Sequence, residues 1–160
     1  MRRALRPWPE AEAGGDDAPV ETRRLDVLGR EECRARLAPG GVGRLGIVRG
    51  GYPVIFPVNY AMHGDRVVIR TDDGPKLRAA RFRRVSFEVG ALDHERRTGW
   101  SVLIQGFGTE VDPGDPSYDA LAAPVTPWAP GKRDRLLVIT PVTVTGRAIV
   151  STEVPGPTGR

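Results

Sequence analysis

Apolar residues along this chain come in short runs broken by Gly, Asp and Pro, without the long stripes of helical spacing. Such runs, several of them alternating, predict short strands joined by tight turns. Six read as strands: residues 42–49, 52–62, 66–71, 85–92, 100–111 and 136–144. In the fifth, alternation puts Trp100, Val102 and Ile104 on one face and Ser101, Leu103 and Gln105 on the other. Pro57 falls inside the second, which predicts an edge or a bulge there.

Helical spacing is confined to short pieces. Residues 29–37 and 75–82 read as helices, the second with Asp73 as its cap and Pro75 in its first turn. A third short helix is expected near 116–122. Six strands with short flanking helices and mostly tight turns predict a mainly β, α+β fold, an antiparallel barrel and not an alternating βαβ sheet. Residues 1–24 and the Pro/Gly-rich end at 151–160 lack periodicity and are expected to be an arm and a flexible tail around a domain at 25–150.

Composition narrows the classes. With 160 residues there is enough chain for one domain with a real core. The formal charge is +4, but the basic residues are dispersed, and Arg81–Arg84 and Lys132–Arg135 are short, interrupted clusters that read as solvated faces. No nucleic-acid partner is expected from them. One cysteine, Cys33, rules out an intramolecular disulfide, and no apolar run is long enough to span a membrane, so a cytoplasmic protein is expected. Only Lys76 and Lys132 are lysines among 24 basic residues, so a lysine at a chosen place carries more weight than any arginine.

Candidate chemistry then has to be weighed motif by motif. Gly41-Val42-Gly43-Arg44-Leu45-Gly46 matches a dinucleotide fingerprint in letters, but a helix precedes it and a strand follows, the reverse of what phosphate binding there requires. His63 and His94 fall at turns without metal-ligand spacing, so no metal is expected, and no nucleophile elbow or triad is visible. The strongest cluster is Arg70, Thr71 and Lys76, where a strand opens onto a helix start: a forked guanidinium, a hydroxyl, a rare lysine and free helix N–H groups suit a phosphate. Pro57 and Asn59 share a strand face and could offer an apolar wall and an amide to a planar heterocycle. Trp100 alone is most simply a core or interface residue, and Trp128, in the rigid loop Pro127-Trp128-Ala129-Pro130-Gly131, is as much a plug as a ligand contact.

Six segments together carry a family resemblance: Gly43-Arg44-Leu45-Gly46, Phe56-Pro57-Val58-Asn59-Tyr60, Ile69-Arg70-Thr71 with Gly74-Pro75-Lys76-Leu77, Val85-Ser86-Phe87-Glu88-Val89, Gly99-Trp100-Ser101-Val102 and Trp128-Ala129-Pro130-Gly131. In order and spacing they resemble the pyridoxamine 5′-phosphate oxidase-like, FMN-binding split-barrel family. The resemblance implies a six-stranded split barrel that forms a homodimer with one FMN at each subunit interface. Pro57, Val58 and Asn59 would lie along the isoalloxazine ring, and Arg70, Thr71, Lys76 and Leu77 would hold the ribityl phosphate. Trp100 and Ser101 would reach the partner's flavin, and Trp128 would sit near the ring. The implied activity is oxidation or reduction of a small organic molecule through flavin N5, with no catalytic side chain identified. The alternative is a non-enzymatic flavin-, deazaflavin- or haem-binding protein. The family's vitamin B6 oxidases use a C-terminal Arg and His for their substrate, and no His stands near this end, so a different substrate is implied.

Overall fold

The computed structural model describes residues 22–152. They form β1 (Thr22–Leu28), α1 (Arg30–Leu37), β2 (Gly41–Arg49), β3 (Tyr52–His63), β4 (Arg66–Thr71), α2 (Pro75–Ala80), β5 (Arg84–Asp93), β6 (Thr98–Val111), α3 (Tyr118–Ala122) and β7 (Arg135–Thr152). The sheet runs β1-β7-β4-β3-β2-β5-β6, and β6 pairs again with β7, so six strands close a barrel and β1 is added outside it. The named strands pair antiparallel throughout. This is the mainly β antiparallel barrel that the pattern predicts, and the split barrel that the family resemblance implies.

The closure depends on β7. One edge follows β6 along most of its length, while the other is shared, first by β4 through Arg135–Ile139 and then by β1 through Gly146–Thr152. A bulge at Gln105/Gly106 absorbs Pro141, and it leaves Val142 unpaired and exposed. The pattern ends this strand at residue 144; the ladder carries it eight residues further, through alternation too polar to read as strand. It also gives no sign of β1, whose Leu25 and Val27 face solvent; the pairing from Thr22↔Thr152 to Leu28↔Gly146 is what makes it a strand. Residues 22–24 of the expected arm are therefore strand, and residues 151–152 of the expected tail belong to β7; the remainder of both segments lies outside the described residues.

β3 pairs with β2 through Tyr52–Tyr60 and with β4 only from Tyr60 to His63, so its first part, Tyr52–Asn59, has a single neighbour. Pro57, opposite Arg44, sits in that half-paired stretch, where a missing N–H costs nothing on the free edge. The pseudo-fingerprint Gly41–Gly46 is entirely strand, paired with β3 throughout and with β5 from Arg44 to Gly46.

Two apolar clusters hold the molecule. The interior one gathers Leu45, Val58, Tyr60, Ile69, Leu77, Phe87, Val102 and Ile104, with Tyr60 and Phe87 edge to face at 5.0 Å. α1 closes one end by inserting Cys33 and Leu37; a Cβ at Gly146 would lie 2.6 Å from the Cys33 sulfur, so the helix docks there only against glycine. α2 closes the other end with Leu77 and Ala80. The second cluster lies on the outer side of β3, β4 and β7, where Leu121, Ala122 and Val125 cover Ala61, Val68, Leu136 and Val138. That packing pins the segment between β6 and β7, and with it the loop that crosses towards the end of β4.

Candidate functional site

At the end of β4 the chain alternates between the two clusters. Ile69 points into the barrel and Val68 into the outer cluster, so Arg70 emerges on the outer side beneath the α3–β7 loop and Thr71 turns inward, 1% exposed. The Thr71 hydroxyl donates to Asp72 Oδ1 at 3.2 Å. Arg70 Nε donates to the carbonyl of Arg133 at 3.3 Å, tying the strand to the loop. α2 then starts at Gly74, not at Asp73: Gly74 is the extended cap residue, Pro75 takes the first helical position, and the Asp73 carboxylate pairs with Arg78 at 3.0 Å. The helix is only six residues long and stops at Ala80, because Arg81 is extended and Phe82 has a positive φ of 57°. The cationic character of this corner therefore resides in side chains and not in a helix end.

Lys76 is half-buried, with its Nζ 6.0 Å from the centre of the Phe56 ring. Burial holds its ammonium below the ordinary lysine range; Asp72 opposes that shift and Arg133 adds to it. Asp72 itself is held below the usual carboxylate range by its own backbone N–H, with the Thr71 hydroxyl, Arg133 and Lys76 acting in the same direction. Arg133 reaches Asp72 at 3.5 Å and donates from Nη2 to the Pro130 carbonyl at 3.3 Å. Its Nε is buried without a hydrogen-bond partner, the single such side-chain nitrogen or oxygen among the described residues. A buried donor without an acceptor is costly, and one beside two further cations is suited to an incoming anion.

The loop also bonds to β3. Asn59 Oδ1 accepts the Trp128 backbone N–H at 2.9 Å, which commits the amide oxygen to the loop and leaves its N–H groups as donors. The Trp128 ring is 78% exposed. Pro57 and Asn59 share the outward face of β3, as the alternation predicts. The structure thus joins Asn59 to Trp128, brings Thr71 and Lys76 together through Asp72, and ties Arg70 to the same corner through the Arg133 carbonyl. Val58 and Leu77 are placed differently: both side chains are buried in the interior cluster, so only their backbone atoms are available to a ligand.

Trp100 and Ser101 stand apart. They pair with Ala148 and Arg147, while Thr71 pairs with Arg135, so about 40 Å of β7 separates the two places at ~3.3 Å per residue. Trp100 stacks under the Arg36 guanidinium at 5.1 Å and lines a cavity of about 460 Å³ with Arg36, Asp93, Thr98 and Ile149 at the α1 end of the barrel. Within one chain these residues and the cationic corner do not share a ligand.

Sequence reasoning misses Asp72 and Arg133. Nothing distinguishes Arg133 from its neighbours in the run Lys132–Arg135 until partners are known: Lys132 pairs with Asp134 at 2.8 Å and Arg135 with Glu110 at 3.5 Å, which leaves Arg133 for the corner. His63 and His94 are exposed, and no group of metal-ligating side chains occurs among the described residues. Nor is any described helix long and apolar enough to cross a membrane.

Comparison with known proteins places this geometry. A family model described as pyridoxamine 5′-phosphate oxidase matches residues 29–148. An uncharacterised protein of Mycobacterium tuberculosis, Rv0080, is 35% identical over 141 residues, covering 84% of this chain and 91% of that one. Among solved structures, an FAD-binding protein of Mycobacterium smegmatis superposes with a TM-score of 0.61 at 27% identity, over 78% of this chain and 98% of that one. An FAD-binding protein of Mesorhizobium loti shares the fold at a TM-score of 0.67 and 23% identity, over 81% and 99% of the two chains.

Proposed function

The chain belongs to the pyridoxamine 5′-phosphate oxidase family, and from that premise we propose that it is an FMN-binding oxidoreductase acting on a small organic molecule. The observation that carries the reading is the corner at the end of β4, where Lys76 and Arg133 face the Asp72 carboxylate, Arg70 bonds the Arg133 backbone carbonyl, and a buried guanidinium nitrogen lacks an acceptor. With Arg70 beside them, the two cations that face Asp72 leave the corner an excess of positive charge suited to a phosphate monoester. The similarity to the FAD-binding protein of Mycobacterium smegmatis supports a flavin as the ligand, and FMN is the flavin that ends in a phosphate monoester.

In this reading Arg70, Thr71 and Lys76 hold the phosphate, and Pro57 and Asn59 lie along the ring. The free N–H groups of Asn59 would donate to ring carbonyls, while Pro57 supplies an apolar wall. Trp128, on the loop that Asn59 anchors, covers the ring from outside and limits water access. When bound, the flavin supplies the hydride and electron chemistry; the chain's share is to bind, orient and shield it. Because Trp100 and Ser101 sit at the far end of the barrel, they contribute only across a subunit boundary, so the reading includes a homodimer whose partner completes each site.

The test is direct. The purified protein is incubated with FMN and desalted, and its absorbance spectrum and the mass of released cofactor are recorded. Retained FMN that a reduced nicotinamide bleaches supports the proposal. A colourless protein, a Soret band or a released deazaflavin rejects it in favour of another ligand.

A further inference from the structure

The loop before β7 brings one more cation to the corner than the strand and helix supply. Its three basic side chains are treated differently by the fold. Lys132 is 84% exposed and closed by Asp134, while Arg135 is turned towards Glu110. Arg133 alone is drawn inwards, its side chain 22% exposed, with Nη2 on the Pro130 carbonyl, Nη1 3.5 Å from Asp72 and Nε unpartnered. Its own carbonyl is fixed by Arg70. The guanidinium is thus held in place by loop and strand while its Nε–H remains unpaired.

Asp72 completes the arrangement. It accepts the Thr71 hydroxyl and faces Lys76 and Arg133 at once, the same three partners a phosphoryl group would need. We propose that Arg133 is a third, specificity-determining arm of the phosphate site, closing on a phosphate monoester for which the Asp72 carboxylate is the built-in competitor. The inference rests on the reading of this corner as the flavin phosphate site. Chemically, the Nε–H and one Nη–H form the fork that matches two phosphoryl oxygens, and a lysine cannot reproduce it. Arrival of the phosphate moves Arg133 and the Thr71 hydroxyl from the carboxylate to phosphoryl oxygens. Asp72 then turns to solvent, where its exposed position already lies.

The experiment compares FMN with riboflavin, which lacks the phosphate, by fluorescence quenching in wild type, Arg133→Ala, Arg133→Lys and Asp72→Asn. In Arg133→Ala the preference for FMN over riboflavin falls by about tenfold to a hundredfold while riboflavin affinity holds. Arg133→Lys recovers only part of it, and Asp72→Asn binds FMN more tightly than wild type. An unchanged ratio in Arg133→Ala, or an equal loss of both flavins, overturns the role of Arg133. Weaker FMN binding in Asp72→Asn overturns the competitor role. If Arg133→Ala does not fold, Arg133→Gln carries the same test.

A wild-type protein that binds neither flavin defeats the flavin reading by itself, and inorganic phosphate then decides the role of Arg133. A phosphate-dependent rise in melting temperature that Arg133→Gln abolishes supports it. A rise kept by the variant, or absent in wild type, ends it.

Discussion

Two ionic clusters lie near each other where β4, β6 and β7 come together, and they resolve their charges in opposite ways. Around Glu110, 13% exposed, both carboxylate oxygens are used: Arg81 takes one at 2.7 Å and Arg135 the other at 3.5 Å. Around Asp72, Arg133 sits at 3.5 Å from one oxygen, Lys76 is desolvated, Arg70 bonds a backbone carbonyl, and one guanidinium nitrogen has no acceptor. Each is built from one carboxylate and several cations. The first cluster satisfies itself and reads as structure; the second stores unpaired positive charge and reads as a binding site.

The sharpest way to break that comparison is to remove the cations of the second cluster. Arg70→Ala with Lys76→Ala should weaken FMN binding by about 3–6 kcal/mol, taking roughly 1.5–3 kcal/mol for each charge-assisted bond, without unfolding the chain. Equilibrium dialysis beside a circular dichroism melt measures both, and full flavin retention would show that the phosphate lies elsewhere.

A second contrast separates the corner from the far end of the barrel. If a homodimer completes each site, an equal mixture of Lys76→Ala and Trp100→Ala chains should regain about a quarter of the wild-type flavin capacity after subunit exchange, since about half of the dimers are then mixed and one of the two sites in each is intact. Sedimentation should give twice the 17.4 kDa chain mass. A monomer, or no regain on mixing, refutes the shared site.

Proton linkage gives a finer contrast. Because burial lowers the pKa of Lys76, its protonated form costs folding stability. That cost is full below the folded value and fades as pH rises to the unfolded one, while a bound phosphate draws the pKa back up. FMN affinity should therefore fall, by up to about tenfold, as pH climbs towards the ordinary lysine range, and Lys76→Arg should flatten the profile. Isothermal titration across that range gives the answer; a flat wild-type curve excludes Lys76 as a contact.

The smallest effect on binding belongs to the satisfied cluster. Glu110→Gln should lower the melting temperature by about 3 °C and leave the FMN-to-riboflavin preference unchanged. A changed preference would merge the two clusters into one.

The barrel was largely legible because its inward strands alternate cleanly; β6, with Val102, Ile104, Gly106 and Gly108 buried between exposed neighbours, is the clearest. β1 was not, since Leu25 and Val27 face outwards and only a partner more than a hundred residues away makes it a strand. Arg70, Thr71 and Lys76 could be picked out because the lysine is rare in this chain and adjacent to a strand end. Arg133 could not: its importance lies in which carboxylates its neighbours capture, a tertiary fact that no local pattern encodes. Side-chain preference points to Asp73 as the cap, but Asp73 is engaged by Arg78, Gly74 takes the cap position, and the turn is closed by backbone bonds instead.

A crystal structure of the protein with FMN tests the central claim most directly. The account predicts the phosphoryl group within hydrogen-bond distance of Arg70, Thr71 and Lys76, with the ring beside Pro57 and Asn59. Flavin density at any other place, with this corner still closed on Asp72, would contradict it.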